Sequence, residues 1–357
     1  MTTLARFARP GRDDLVAAQC DLCVPPVLST STLPEMRRLG WTLAEDGHPH
    51  DTCPWCGLSV APRDRVVRSG SAAVVPDPDL LPNLVVVGAA KAGTTSLHTY
   101  LDLHPDIEMS QDKEMRFFTD PDCRGWVGRY QDYFTGTTRY RGESTPQYTK
   151  WPLFPGVVDR MADLVPDARL VYLVRDPVER AIAEYVEEVT WGVITEDFDT
   201  EVADAEAAYH RLVAPSRYAT QLRELRRRFA PEQILVVDLA DLGERRAETL
   251  GTIFDFLDLP RPALGEDDLA ARNVWGDKGV HPRWYAALRR PWLVRAVHRL
   301  PTGQVARLRG FVSRRIATPV ERPRPSEESL ARLRAVLAPE AAELRELTGQ
   351  RFADWSV

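Results

Sequence analysis

From Leu84 onward, stretches of unbroken apolar character alternate with stretches of helical periodicity. "LVVVG" (84–88) is a β-branched run of the kind that forms a buried strand, and "TTSLHTYLDLH" (94–104) repeats its apolar residues at helical spacing. The pattern recurs in "ARLVYLVRDP" (168–177), a second strand, followed by the helix "VERAIAEYVEEV" (178–189). It recurs again where the charged helix "YATQLRELRRRFA" (218–230) leads into a third strand, "QILVVDLADL" (233–242). "SEESLARLRAVLAPEAAELRELTG" (326–349) carries leucines at helical spacing and is expected to close the domain. Strands separated by helices predict an α/β fold, a parallel sheet of the phosphate-loop type flanked by helices on both faces. There are no internal repeats.

The first 80 residues have a different texture. "APRDRVVRSGSAAVVPDPDLLPN" is broken by Pro62, Gly70, Pro76, Pro78 and Pro82 and reads as a linker. The expected organisation is a small cysteine-bearing module at 1–62, a linker at 63–81 and the α/β domain at 82–357. A chain of 357 residues and 40.2 kDa is long enough for one large domain and a small one. A net charge of -6 argues against a general nucleic-acid binder. No apolar run approaches the roughly 20 residues of a membrane span. Asp13 and Asp14 stand where a signal peptide would have its apolar core, so a cytoplasmic protein is expected.

Four of the five cysteines fall in two CxxC pairs, Cys20 with Cys23 and Cys53 with Cys56. In a reducing compartment such knuckles suggest a metal rather than disulfides. Four thiolates close a tetrahedron around a structural zinc ion and leave no open position, which makes His48 and His50 solvated loop residues rather than ligands. A redox role for "CPWC" would call for a neighbouring βαβ pattern, which is absent there.

The chemistry gathers after the first strand. Between Gly88 and Gly93 lie Ala89, Ala90, Lys91 and Ala92, and Thr94, Thr95 and Ser96 open the helix. Small residues let backbone amides approach an anion, and a helix N-terminus adds unpaired N–H groups and a positive dipole end. A Walker loop would place lysine directly before the hydroxyl residue that binds magnesium. Here Thr94 holds that place and the lysine comes earlier, at Lys91. Phosphate binding is therefore expected, whereas magnesium-dependent hydrolysis of a nucleoside triphosphate is not.

"KAGTTSL" after a hydrophobic strand resembles the 5′-phosphosulfate loop of sulfotransferases that use 3′-phosphoadenosine 5′-phosphosulfate (PAPS). "HPDIEMSQDKEMRFF" resembles that family's "HP…KEpHFF" segment, and "LVYLVRDPVERAIAEY" its 3′-phosphate strand, loop and helix. "SRYATQLRELRRRFAPEQILVVDLADL" and the final "FADW" are similar to further family segments. The likeness spans roughly residues 82–357 and is greatest to glycan-type and bacterial members. It implies that Lys91 stabilises the leaving phosphate and that Ala92, Gly93, Thr94, Thr95 and Ser96 hold the 5′-phosphate. It further implies Glu114 as general base, Arg175 on the 3′-phosphate, and Tyr218, Lys278 and Gly279 beside the nucleotide. Without the resemblance, Glu114 reads as a surface carboxylate paired with Lys113 or Arg116, and Tyr218 reads as readily as a buried packing residue.

The chain departs from the family pattern at three places. Ala183 stands where a serine usually donates to the 3′-phosphate, removing a bond to a charged acceptor worth on the order of 1.5–3 kcal/mol. Arg116 stands in place of histidine and hints at an anionic acceptor. Ser144, in "GESTPQY" along the expected acceptor cleft, replaces a lysine found in some relatives. Cys123 reads as a small apolar residue near that cleft.

The acceptor itself is not written in the motifs. Residues 187–206 carry eight carboxylates, from Glu187 and Glu188 to Glu206, which read as an acidic lip. Residues 278–320 lack Asp and Glu and mix arginine with tryptophan and leucine, either a solvated helical pair packing on the core or a docking face for an anionic or amphipathic acceptor, such as a lipid-linked one, at a membrane surface. The cysteine module could equally bind a carrier protein or only stabilise the chain. Two other functions stay open: a P-loop kinase using ATP, and a degenerate nucleotide-binding scaffold. The joint presence of Lys91, Glu114 and Arg175 argues against decay.

Overall fold

The computed structural model describes residues 76–190, 193–263, 265 and 322–357, and the backbone alone of 5–9, 12–19, 28–32, 279–280 and 318–319. Near the start, β1 (Ala5–Arg9), β2 (Arg12–Gln19) and β3 (Leu28–Thr32) form an antiparallel sheet in that order.

The α/β domain is built on a five-stranded sheet. Its strands are β4 (Leu84–Gly88), β5 (Ile107–Met109), β6 (Tyr140–Ser144), β7 (Arg169–Val174) and β8 (Ile234–Asp238). They lie in the order β5-β6-β4-β7-β8, every pair parallel. The expected strands at 84, 168 and 233 are all present, and β5 and β6 join them as two the pattern did not disclose. β4 is central, and the order reverses across it: the chain moves outward through β6 on one side and β7 on the other. In open parallel sheets such a switch point, at the carboxyl ends of the strands, is where ligands bind.

All five residues of β4 are buried, as a strand covered on both faces requires. β6 is buried just as completely despite reading Tyr-Arg-Gly-Glu-Ser. Its polar groups find partners inside: Arg141 gives its Nε proton to the Leu81 carbonyl (2.9 Å), and Glu143 is met by three hydroxyls. Gly142 is needed because a Cβ there would lie 2.2 Å from Met109 Sδ. Leu81 is buried and Gln131 donates to the Asp77 carbonyl (2.8 Å), so residues just before β4 pack against the domain.

Helices Thr94–Leu101, Val157–Leu164, Pro177–Thr190, Tyr218–Arg226, Leu239–Glu244 and Arg246–Phe256 follow strands or precede them. The long helix Glu327–Thr348 is capped by Ser326, whose side chain accepts from the Ser329 N–H, and ends at Gly349 in the left-handed region (φ 70°). It packs on Tyr218–Arg226 and Pro177–Thr190, where Leu333 and Leu337 join Val178, Ile182, Tyr185, Phe198 and Leu212 in a second core. The chain then returns to the sheet: Trp355 stacks on Phe352 (centroids 4.3 Å apart) and donates its Nε1 proton to Asp238 at the end of β8 (3.1 Å). No described helix is long and apolar enough to cross a membrane.

Candidate functional site

The loop from Gly88 to Gly93 sits at the carboxyl end of the central strand. It is held so closely that side chains at its two glycines are excluded. A Cβ on Gly88 would fall 1.9 Å from Thr149 Oγ1, and one on Gly93 would fall 2.6 Å from Leu239 Cδ1. Gly93 is also in the left-handed region (φ 89°), where glycine carries no steric penalty. As N-cap of Thr94–Leu101 it offers no capping side chain to the first turn of that helix. These are the features that fit an anionic phosphate: a close backbone, an uncapped helix end and cations beside it.

Three of those cations belong to residues the sequence singled out or bordered. Lys91 (φ 66°) forms an ion pair with Glu187 of helix Pro177–Thr190. Arg175, just beyond β7, donates through Nη1 to the Lys91 carbonyl (3.2 Å), and its own backbone N–H donates to Tyr218 Oη (3.4 Å). Lys91, Arg175 and Tyr218 are thus brought together around one loop. Lys113, which the motif analysis treated only as a partner for Glu114, donates both to Thr94 Oγ1 (3.3 Å) and to Glu114 Oε1 (3.0 Å). It ties the helix N-terminus to the carboxylate.

Glu114 is further approached by Gln147 Nε2 (3.4 Å) and the Arg116 guanidinium (4.0 Å). Burial alone would push its carboxyl up, but Lys113, Arg116 and the Gln147 amide together outweigh it and hold the pKa below the usual carboxylate value. Both Glu114 (φ 62°) and Arg116 (φ 57°) are in the left-handed region, a strained choice for non-glycine residues. Nearby, His98 Nε2 lies 3.1 Å from the Ser110 carbonyl, which can only accept, so Nδ1 accepts from Ser144 Oγ (2.9 Å). Burial lowers the His98 pKa and favours this neutral tautomer. Ser144, where some relatives have lysine, thus has a partner of its own.

Behind the loop lies an arginine that the sequence reading passed over. Arg180 is fully buried and donates to Ser216 Oγ (2.6 Å), the Ala90 carbonyl (3.4 Å), Glu184 (3.1 Å) and the Leu212 carbonyl. Lys150 closes on the same carboxylate (2.7 Å). Burial would raise the Glu184 pKa, but Lys150, Arg180 and Lys91 bring it down to about 2. Ala183 is buried on the same helix, one turn beyond Arg180.

The carboxylates of 187–206 do not form a free acidic lip. Glu187 pairs with Lys91, Asp197 caps helix Phe198–Glu201, Asp199 accepts from the Ser326 N–H (3.0 Å), and Glu201 meets Arg211 (3.4 Å). Asp204 lies 3.5 Å from His210, and Glu206 lies 3.9 Å from Arg332. The run is largely consumed in holding the fold. Cys123 is buried, and burial pushes its thiol up to about 11, in keeping with an inert apolar role.

Cys20, Cys23, Cys53, Cys56, His48, His50 and Lys278 lie outside the described residues, as does most of 278–320. Among the described residues no group of His, Cys, Asp and Glu is placed to hold a metal ion. Gly279 is described by its backbone, in the short strand β9 (Gly279–Val280), which pairs antiparallel with β10 (Thr318–Pro319).

A glycine-bounded loop after the central strand of a parallel sheet, with Arg175 on the Lys91 carbonyl and Lys113 on Thr94 at the start of the following helix, has the form that suits a phosphate. Residues 126–263 match the model of the Sulfotransferase family. The crystal structure of a sulfotransferase from Alicyclobacillus acidocaldarius has the same fold (TM-score 0.54, 23% identity), covering 78% of this chain and 99% of that one. Over 115 residues the chain is 34% identical to the membrane-associated sulfotransferase kil1 of Dictyostelium discoideum, which covers 31% of this chain and 24% of that protein. Over 199 residues it is 27% identical to the human bifunctional heparan sulfate N-deacetylase/N-sulfotransferase 2, covering 50% of this chain and 22% of that one. The chain thus spans about a quarter of the length of these relatives.

Proposed function

We propose that the chain transfers the sulfuryl group of PAPS to a hydroxyl or an amine of a small-molecule, glycan or lipid-linked acceptor. The observation that carries this reading is the join made by Lys113, which brings Glu114 alongside Thr94 at the mouth of the phosphate loop. A carboxylate for the acceptor and a cradle for the donor then stand side by side.

PAPS supplies an activated sulfuryl group on a phosphate leaving group. Ala92, Gly93, Thr94, Thr95 and Ser96 would hold its 5′-phosphate, and Arg175 and Tyr218, with Lys278 and Gly279, would hold the rest of the nucleotide. Glu114 would take the proton from the acceptor O–H or N–H as that atom bonds to sulfur and the bond from sulfur to the bridging oxygen breaks. Lys91 would meet the negative charge left on the departing phosphate, with the helix N-terminus adding its positive end. For this the lysine must leave Glu187. Although burial opposes it, Lys113, Arg116 and Gln147 lower the Glu114 pKa and so favour the ionised carboxylate that a base requires.

Transfer from radiolabelled PAPS to a panel of alcohols, amines and N-unsubstituted glycans tests the reading. Transfer by the wild type and its loss by at least about a hundredfold in Glu114→Gln are expected, the low end of a general base's contribution. Undiminished transfer by Glu114→Gln would remove that residue from the mechanism.

The cysteine pairs support a separate proposal for residues 1–62, joined by the linker 63–81 to the domain 82–357. Cys20, Cys23, Cys53 and Cys56 would bind one structural zinc ion. Metal analysis of purified protein should find zinc equimolar with the chain and lost in Cys53→Ser; a metal-free wild type would refute the site.

A further inference from the structure

Glu143, at the heart of β6, is fully buried and accepts from three hydroxyls. Tyr130 Oη (2.5 Å) and Tyr148 Oη (2.7 Å) donate to Oε1, and Thr145 Oγ1 (2.9 Å) donates to Oε2. Two of these hydroxyls are engaged on their other side by backbone. The Phe118 N–H donates to Tyr148 Oη (3.3 Å), and the Arg116 N–H donates to Thr145 Oγ1 (3.3 Å). A backbone N–H can only donate, so each hydroxyl accepts there through one lone pair and gives its single proton to the Glu143 carboxylate. The relay has a direction, out of the segment 114–118 and into Glu143.

That segment needs holding. Left-handed conformations at Glu114 and Arg116 persist only where the surroundings over-determine them. The Glu114 N–H is fixed by the Ser144 carbonyl (3.0 Å), next to Glu143 in the strand. Phe117 stacks on the ring of Tyr130 with centroids 3.8 Å apart, so the tyrosine that donates to Glu143 also packs the loop. The Thr145 N–H donates to the Val86 carbonyl (3.1 Å), coupling the same corner to the strand that carries the phosphate loop.

We infer that Glu143 is a positioning residue for Glu114: through Thr145 and Tyr148 it fixes the backbone at Arg116 and Phe118, and so the direction in which the Glu114 carboxylate faces the phosphate loop. The inference rests on the reading of Glu114 as general base. Its chemistry demands a group at 143 that only accepts. Glutamine, although of the same shape, would set an NH2 against a hydroxyl proton and force one relay to turn.

The test compares Glu143→Gln, Thr145→Val, which deletes only the hydroxyl, and Thr145→Ser, which keeps it. Amide hydrogen exchange is followed over 114–118 and over helix Thr94–Leu101, adenosine 3′,5′-bisphosphate affinity by calorimetry, and sulfate release from labelled PAPS in water as an acceptor-free rate. In Glu143→Gln and Thr145→Val, exchange in 114–118 should rise about tenfold or more and sulfate release should fall by a similar factor, as loss of a buried hydrogen bond implies. Exchange over 94–101 and bisphosphate affinity should stay within about twofold, and Thr145→Ser should behave as wild type. Unchanged exchange in 114–118, equal loosening of 94–101, or failure of serine to rescue would each overturn the inference. If the wild type does not bind the bisphosphate, the functional reading fails on its own, and the exchange data still decide whether Glu143 fixes the segment.

Discussion

Lys91, the cation of the phosphate loop, is ion-paired with Glu187 three turns along helix Pro177–Thr190. The same helix reaches the loop from behind through Arg180, which grips the Ala90 carbonyl. One helix therefore sets both the backbone of the loop and the resting place of its lysine, and on the proposed function a phosphate in the loop would compete with Glu187 for that ammonium.

Glu187→Gln should accordingly tighten binding of adenosine 3′,5′-bisphosphate. Lys91 and Glu187 remain 19% and 36% exposed, so their pairing is worth no more than about 1 kcal/mol, and the gain should be at most about fivefold. Calorimetry of variant and wild type checks it. Weaker binding in the variant would mean that Glu187 holds the lysine ready for the ligand rather than away from it.

Arg180→Met should destabilise the domain by about 3 kcal/mol, since it removes one of the two cations hydrogen-bonded to buried Glu184 and takes a donor from the carbonyls of Ala90 and Leu212. Urea denaturation gives the value. A loss below about 1 kcal/mol would show that the arginine is replaceable by apolar volume, as some buried ion pairs are.

The pH dependence of stability should carry the mark of two neighbouring carboxyls with opposite shifts. Burial pushes Glu188 up to about 7, helped by Glu184 and Glu187 and opposed by Arg211 and Lys150. A raised carboxyl favours the fold while protonated, so stability is lost as pH climbs from the ordinary carboxylate range through about 7. Glu184, lowered to about 2, acts the other way: its contribution is present above the ordinary range and is lost as pH falls toward 2. Glu188→Gln should therefore raise the Tm at pH 8 and leave it unchanged at pH 4, with Arg211 still held by Glu201. An equal or lower Tm at pH 8 would place Glu188 in a stabilising pair instead.

How far the site was legible depended on whether its signal was local. β4, β7 and β8 announce themselves as apolar runs, and the loop after β4 by its glycines and lone lysine. β5 is three residues long, and β6 looks like a solvated turn because Arg141 and Glu143 are satisfied by groups outside their own strand. Nothing local marks them as core. Arg180 and Glu187 were hidden in the same way: in a helix pattern they read as polar positions, and only the fold shows that Ala90 and Lys91, some 90 positions earlier, are their partners. The acidic run at 187–206 misled for the converse reason. A count of charges along the chain does not see that Lys91, Arg211 and Arg332 pair with Glu187, Glu201 and Glu206.

The central claim is that the turn from Gly88 to Ser96 holds a 3′-phosphorylated adenine nucleotide. Parallel titration of the purified chain with adenosine 3′,5′-bisphosphate and with ATP and magnesium tests it most directly. The bisphosphate should bind saturably and at least about tenfold more tightly than ATP, with that preference lost in Arg175→Ala, as expected for a charge-assisted grip on the 3′-phosphate. Preference for ATP, or indifference to both, would contradict the account.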